Sequence, residues 1–217
     1  MNPRAALRAA AFFAAALALC GCAPSRHLLD GPEADRARRF FSDLSGRVVF
    51  PVKASYSGVA TPVARSPVPF VAGVNASSPE SETLGLYDPL GRGVAFLTND
   101  GRRVAVDRGP AAESAGFRGA APVEAGPLSV GRILAGAPAY PVTGGEAGRL
   151  ADGAWTITDA RQSLRSDPGR RFLAGAEYRL PGMRVTVEYP GRESPEPPDR
   201  IVLSVRGVQL TLRRDEE

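Results

Sequence analysis

The sequence predicts an α+β fold that is mostly β: a curved antiparallel sheet with helices on its concave side. Three observations lead there. Short segments alternate apolar and polar residues with a period of two, 24 glycines and 20 prolines punctuate them, and only two stretches carry the three-and-four spacing of an amphipathic helix. The order is helix, strands, helix, strands. Helices laid on one face of an antiparallel sheet satisfy it.

The chain opens with an export signal. Arg4 and Arg8 supply the positive start, and Phe12, Phe13, Leu17 and Leu19 carry an apolar run. The run is short of the ~20 residues a membrane span needs. Leu19-Cys20-Gly21-Cys22 then resembles the lipobox of bacterial lipoproteins, in which the cysteine after a small residue takes a diacylglycerol and becomes the new N-terminus. Cys22 follows Gly21 and fits; Cys20 follows bulky Leu19 and fits worse. The reading is therefore a signal peptide over 1–21, a lipidated tether over 22–31 and a single domain over 32–217. Cys20 leaves with the signal and Cys22 is acylated, so no disulfide framework is available. Two or three acyl chains hold a protein firmly where one does not.

The first helix is predicted over Pro32–Leu44, where Ala34, Ala37, Phe40, Phe41 and Leu44 form one apolar stripe and arginines take the other face. Gly46 stops it. Strands follow: Val48, Phe50, Val52, Ala54 and Tyr56 alternate with Arg47, Val49, Pro51, Lys53 and Ser55, and Val68, Phe70, Ala72 and Val74 repeat the period. Between them, Thr61 to Pro69 carries three prolines and predicts a loop or edge. Leu84 and Leu86 lead into a turn at Asp88-Pro89-Leu90-Gly91, Val94 and Phe96 lead out, and Asn99-Asp100-Gly101 marks a tight hairpin returning through Val104 and Val106. A second helix is predicted over Pro127–Leu134, ended by Gly136 and Pro138. Strands then resume with Trp155 and Ile157, with Val185 and Val187, with Ile201, Leu203 and Val205, and with Val208, Leu210 and Leu212. Arg192 to Asp199, rich in proline and charge, predicts a solvated loop.

Enzyme and nucleic-acid signatures are missing. The formal charge is +4, smaller once Arg4 and Arg8 leave with the signal, and no basic cluster is interleaved with aromatics, which argues against nucleic acid. The one histidine, His27, lies in the tether, a poor place for a catalytic base. No thiol survives processing, and no metal-ligand spacing or phosphate loop is present. Among the scattered carboxylates Asp88, Asp107, Glu177 and Glu188, a paired acid and base would be needed for polymer hydrolysis. The expectation is no catalysis, no metal and no cofactor beyond the acyl groups on Cys22.

Taken in order, several segments carry a family resemblance: the lipobox at Cys22; the first helix followed by Ser45-Gly46-Arg47; Leu84 through Gly91; Pro127-Leu128-Ser129; Ile133 through Pro138; Gly153-Ala154-Trp155-Thr156-Ile157; and Tyr178-Arg179-Leu180-Pro181. The set resembles the LolB family of outer-membrane lipoprotein acceptors, in the LolA/LolB fold group. The resemblance implies an incomplete antiparallel barrel closed by helices, with an apolar cavity for the acyl chains of a client lipoprotein. It further implies a periplasmic carrier as donor, and the periplasmic face of the outer membrane as location, with Ala23 rather than an aspartate after Cys22. A monomer is expected. Leu90 is carried over as the membrane-insertion residue, held at a turn tip by Pro89 and Gly91. Candidate cavity residues are the inward strand members Val48, Phe50, Val52, Val68, Phe70, Leu84, Leu86, Val94, Phe96, Trp155, Ile157, Val185, Val187, Leu203 and Val205. A slip of one residue would invert the faces. The chain departs from the family in having only Phe50, Tyr56 and Phe70 as early-strand aromatics and no tryptophan in its last strand. Two other readings stay open: an assembly lipoprotein of the same fold whose interior is filled by side chains, and an envelope-polymer hydrolase.

Overall fold

The structure is a computed structural model, and it describes residues 26–62, 66–112, 120–123, 128–194, 196–205 and 208–215. Cys20, Cys22 and Pro127 lie outside the described residues. The elements are β1 (Arg26–Leu28), α1 (Gly31–Gly46), β2 (Val52–Pro62), β3 (Val68–Ser78), β4 (Ser81–Tyr87), β5 (Gly93–Asn99), β6 (Val104–Arg108), β7 (Ala120–Val123), α2 (Val130–Leu134), β8 (Glu146–Leu150), β9 (Trp155–Thr158), β10 (Gln162–Ser166), β11 (Leu173–Leu180), β12 (Met183–Glu188), β13 (Arg200–Val205) and β14 (Val208–Arg214). No helix among the described residues is long and apolar enough to cross a membrane.

The fourteen strands of the described residues join one antiparallel sheet in the order β1-β8-β9-β10-β11-β12-β13-β14-β2-β3-β4-β5-β6-β7. The ends do not meet, so the sheet is open, as the predicted fold class requires. β14 beside β2 joins the late half to the early half, with Leu212 opposite Gly58 and Leu210 opposite Ala60. Gly58 belongs at this seam: a Cβ there would come within 2.5 Å of the Phe70 ring and 2.8 Å of the Thr211 carbonyl oxygen.

One face of the sheet is covered. α1 buries Ala34, Ala37, Phe41 and Leu44, the stripe its periodicity predicts, and Phe40 meets Trp155 edge to face at 5.8 Å. The core they join includes Tyr56, Phe70, Ile157, Leu164, Tyr178, Val187, Tyr189, Ile201 and Leu212. At ~1.5–3 kcal/mol per buried large side chain, this cluster is the main favourable term in folding.

Four sequence expectations need correction. The tether does not extend to residue 31, because Arg26–Leu28 pairs with Gly148–Leu150 and the Leu29 N–H donates to Ala147 O at 3.0 Å. The strand expected from Arg47 begins at Val52, leaving Val48 and Phe50 in a loop. Pro51 has no N–H to offer a ladder, and alternation alone does not supply a partner strand. β10 and β11 were not anticipated: Gln162–Ser166 holds one large apolar residue, Leu164, and the middle of β11 is Ala174-Gly175-Ala176, so neither stands out by hydrophobicity. Lastly, β2 and β3 both run into the proline-bearing Thr61–Pro69 stretch, with Val59 opposite Pro69 and Ala60 opposite Val68.

Candidate functional site: the concave face and the Leu90 turn

The strand register settles which residues look inward. Ala176, Val187, Leu203, Leu210, Ala60 and Val68 form one row across the sheet. Tyr56, Ala72, Leu86 and Ala95 form another, and Ala54, Val74, Leu84, Leu97 and Val106 a third. Phe96 is a correction. It sits opposite Gly85, in the alternate row, and meets Tyr87 edge to face at 5.9 Å on the convex side. Ala95 takes the inward place. The β4–β5 ladder slips between Leu86 and Tyr87, leaving Val94 without a partner across β4, so it is not part of the inner rows either.

Burial sorts the remaining candidates. Phe70, Trp155, Ile157 and Val187 are buried, packed as core. Val52, Leu84, Leu86, Val185, Leu203 and Val205 are half-buried, as are Val48 and Phe50 in their loop, and Val68 is exposed. The interior is thus filled under the helices. Toward the β2–β3 end, Ala60, Val185, Leu203, Val205, Val208 and Leu210 present an apolar inner surface that other side chains only partly cover.

The Leu90 turn lies at that same end. β4 runs from Ser81, near the closed end of the β3–β4 hairpin, to Tyr87 opposite Val71. The Asp88 carboxylate builds the turn: it accepts N–H groups from Leu90 at 3.0 Å and Arg92 at 2.9 Å and the Arg92 guanidinium at 2.7 Å, while Gly91 takes a φ of 77°. These donors hold the Asp88 carboxyl below its ordinary pKa, the Arg92 N–H contributing most. The side chain between Pro89 and Gly91 cannot fold back. Leu90 is 79% exposed. At this end Val68 is exposed in an inward row, while Val59, opposite Pro69, and Val71, opposite Tyr87, are exposed on the convex face.

Features invisible in local sequence hold the roof. Glu82 lies in the inward row of β4, buried, and accepts from the Ser129 hydroxyl at 2.6 Å, from the N–H groups of Val130 at 2.7 Å and Gly131 at 2.9 Å, and from the Asn99 amide at 2.9 Å. A carboxylate at a helix start satisfies N–H groups that have no partner inside the helix. At the other end of α2, the Tyr189 hydroxyl donates to Ile133 O at 2.8 Å, and Arg192 donates to Gly136 O at 2.8 Å. The Tyr178 hydroxyl accepts the Ala139 N–H at 3.1 Å. The one available signal was Glu82 sharing the parity of Leu84 and Leu86.

Of the carboxylates considered for acid–base chemistry, Asp88 serves its turn and Glu177 is ion-paired with Arg179 and Arg184. The described residues contain no group of three or more metal-ligating side chains.

The fold is similar to that of a LolA superfamily protein from Nitrosomonas europaea, with a TM-score of 0.47, 14% identity, and coverage of 84% of this chain and 91% of that one. It is also similar to a putative outer membrane lipoprotein-sorting protein domain from Vibrio parahaemolyticus, with a TM-score of 0.46, 8% identity, and coverage of 84% and 92%. No protein-family model matches the sequence, and no curated protein matches it either.

Proposed function

We propose that this chain is a lipoprotein anchored through Cys22 at the periplasmic face of the outer membrane. It receives client lipoproteins from a periplasmic carrier, shelters their acyl chains against the half-buried inner rows, and uses the Leu90 turn to pass them into the bilayer. One observation supports the reading above others: the incompletely covered apolar inner surface, which includes exposed Val68, opens at the end of the sheet that displays Leu90. An exposed leucine gains ~1.5–3 kcal/mol on entering an apolar phase. Each sheltered methylene contributes ~0.8 kcal/mol, so handover without an energy source needs rising affinity from carrier to acceptor to membrane. No catalytic step and no cofactor enter this reading.

A second reading, an assembly lipoprotein without lipid traffic, has its own support in the fully buried Phe41, Tyr56, Ile157 and Tyr178, which fill the space beneath the helices. Transfer decides between them. Purified protein mixed with a carrier loaded with radiolabelled lipoprotein should acquire the label; a carrier that keeps its cargo would leave the assembly reading.

A further inference from the structure

The opposite end of the concave face holds a different kind of site. A cavity of about 330 Å³ opens there, between the C-terminal ends of α1 and α2 and the start of β2. Leu44, Val52, Ala54, Tyr56 and Leu134 form its apolar wall. Arg47, Lys53, Arg192 and Arg214 also line it, and no carboxylate is among the lining residues that the structure describes. Arg214 reaches it because its register opposite Tyr56 places it in an inward row of the sheet. Arg192 donates to the carbonyls of Gly136 and Glu196 and serves the roof. Arg47 and Arg214 are exposed and form the rim toward solvent, whereas Lys53, opposite Asn75 in the alternate row, belongs to the convex face.

A cavity with an apolar wall, three guanidinium groups and no acid among its described lining residues is chemically one-sided. It complements a ligand that is apolar along its length and negative at one end. The volume is at the small end of the range for ligand pockets, which suits one chain and not several. Guanidinium groups present paired donors matching the oxygens of a carboxylate or a phosphate. The geometry points to a ligand site for a single-chain amphiphile with an anionic head, its tail against Leu44, Val52 and Leu134 and its head at Arg47 and Arg214. This site lies away from the Leu90 end and does not depend on the lipoprotein-transfer reading.

The test is calorimetric titration of the whole chain in phosphatidylcholine nanodiscs, with empty discs subtracted, using decanoate, decyl phosphate and uncharged decanol. Decanoate, decyl phosphate or both should bind about tenfold more tightly than decanol, and the preferred head identifies the natural one as carboxylate or phosphate. Replacing Arg47 and Arg214 together by alanine should weaken the anion about fivefold, the scale of losing two exposed ion pairs, and leave decanol binding and the thermal midpoint unchanged. Added salt should weaken the anion on the unaltered chain, a readout that survives even if the double variant misfolds. Equal affinity for decanol and the anions, or anion affinity insensitive to salt, overturns the proposal. Lipoprotein transfer by the double variant should persist, so loss of one reading does not carry the other with it.

Discussion

The Glu82 carboxylate accepts the Ser129 hydroxyl at 2.6 Å, across 47 residues of chain. With the Val130 and Gly131 N–H groups on the same carboxylate, this contact fastens the short α2 segment to β4. A five-residue helix has little stability of its own, so its place over the sheet depends on this anchor and on the Tyr189 and Arg192 contacts at its far end.

Glu82→Ala should therefore cost about 3 kcal/mol, because it leaves buried donors without an acceptor. Glu82→Gln should cost less, since one oxygen still accepts. Urea denaturation monitored by Trp155 fluorescence measures both. An alanine variant within about 0.5 kcal/mol of the unaltered protein would show that the anchor is dispensable.

Leu90→Glu should leave stability within about 0.5 kcal/mol, as expected for a side chain outside the core. Delivery of a lipoprotein to liposomes should nonetheless stop, because a carboxylate at the turn tip opposes entry into an apolar phase. Liposome flotation after transfer is the measurement. Normal delivery by this variant would take Leu90 out of the mechanism.

Acid sensitivity should trace partly to Asp167. Burial works against its charge, but the N–H groups of Phe172 and Arg171 and the Arg171 guanidinium outweigh that and keep its carboxyl below the ordinary value. A depressed folded value contributes stability that is complete above the unfolded carboxylate value of ~3.9 and is lost as pH falls through the folded one. Asp167→Asn should be less stable at neutral pH and show a shallower decline below pH ~4 than the unaltered protein. Parallel declines would assign the acid response elsewhere.

The alkaline limit should come from tyrosines. Burial pushes Tyr56 up to about 12, against the pull of the Arg214 guanidinium, and also raises Tyr140, Tyr178 and Tyr189. A raised folded value means stability is complete below the unfolded value of ~10 and is lost as pH climbs toward the folded one. Of the five tyrosines, most should stay unionised at pH ~10 and ionise together as the sheet opens. Ultraviolet titration checks this; smooth ionisation of all five near pH ~10 in a folded chain would contradict the burial.

Cys22→Ala should abolish incorporation of labelled palmitate and release the protein from the membrane fraction. Undiminished labelling would refute the anchor assignment and remove the membrane from the proposed function.

What the amino-acid sequence decided alone is what neighbours within a few residues decide. The α1 stripe of Ala34, Ala37, Phe41 and Leu44 follows from helical spacing. The Leu90 tip follows from Asp88 accepting N–H groups two and four positions on, with Gly91 free to take a positive φ. The tertiary structure decided the rest. Phe96 faces outward because the β4–β5 ladder sets it opposite Gly85; β10 and β11 exist because neighbouring strands supply their hydrogen bonds; Glu82 meets Ser129, and Arg214 meets Tyr56, only after distant strands align. Register and face are properties of a whole sheet burying one side. No window of sequence contains them, and both the inward rows and the arginine-rimmed cavity depend on them.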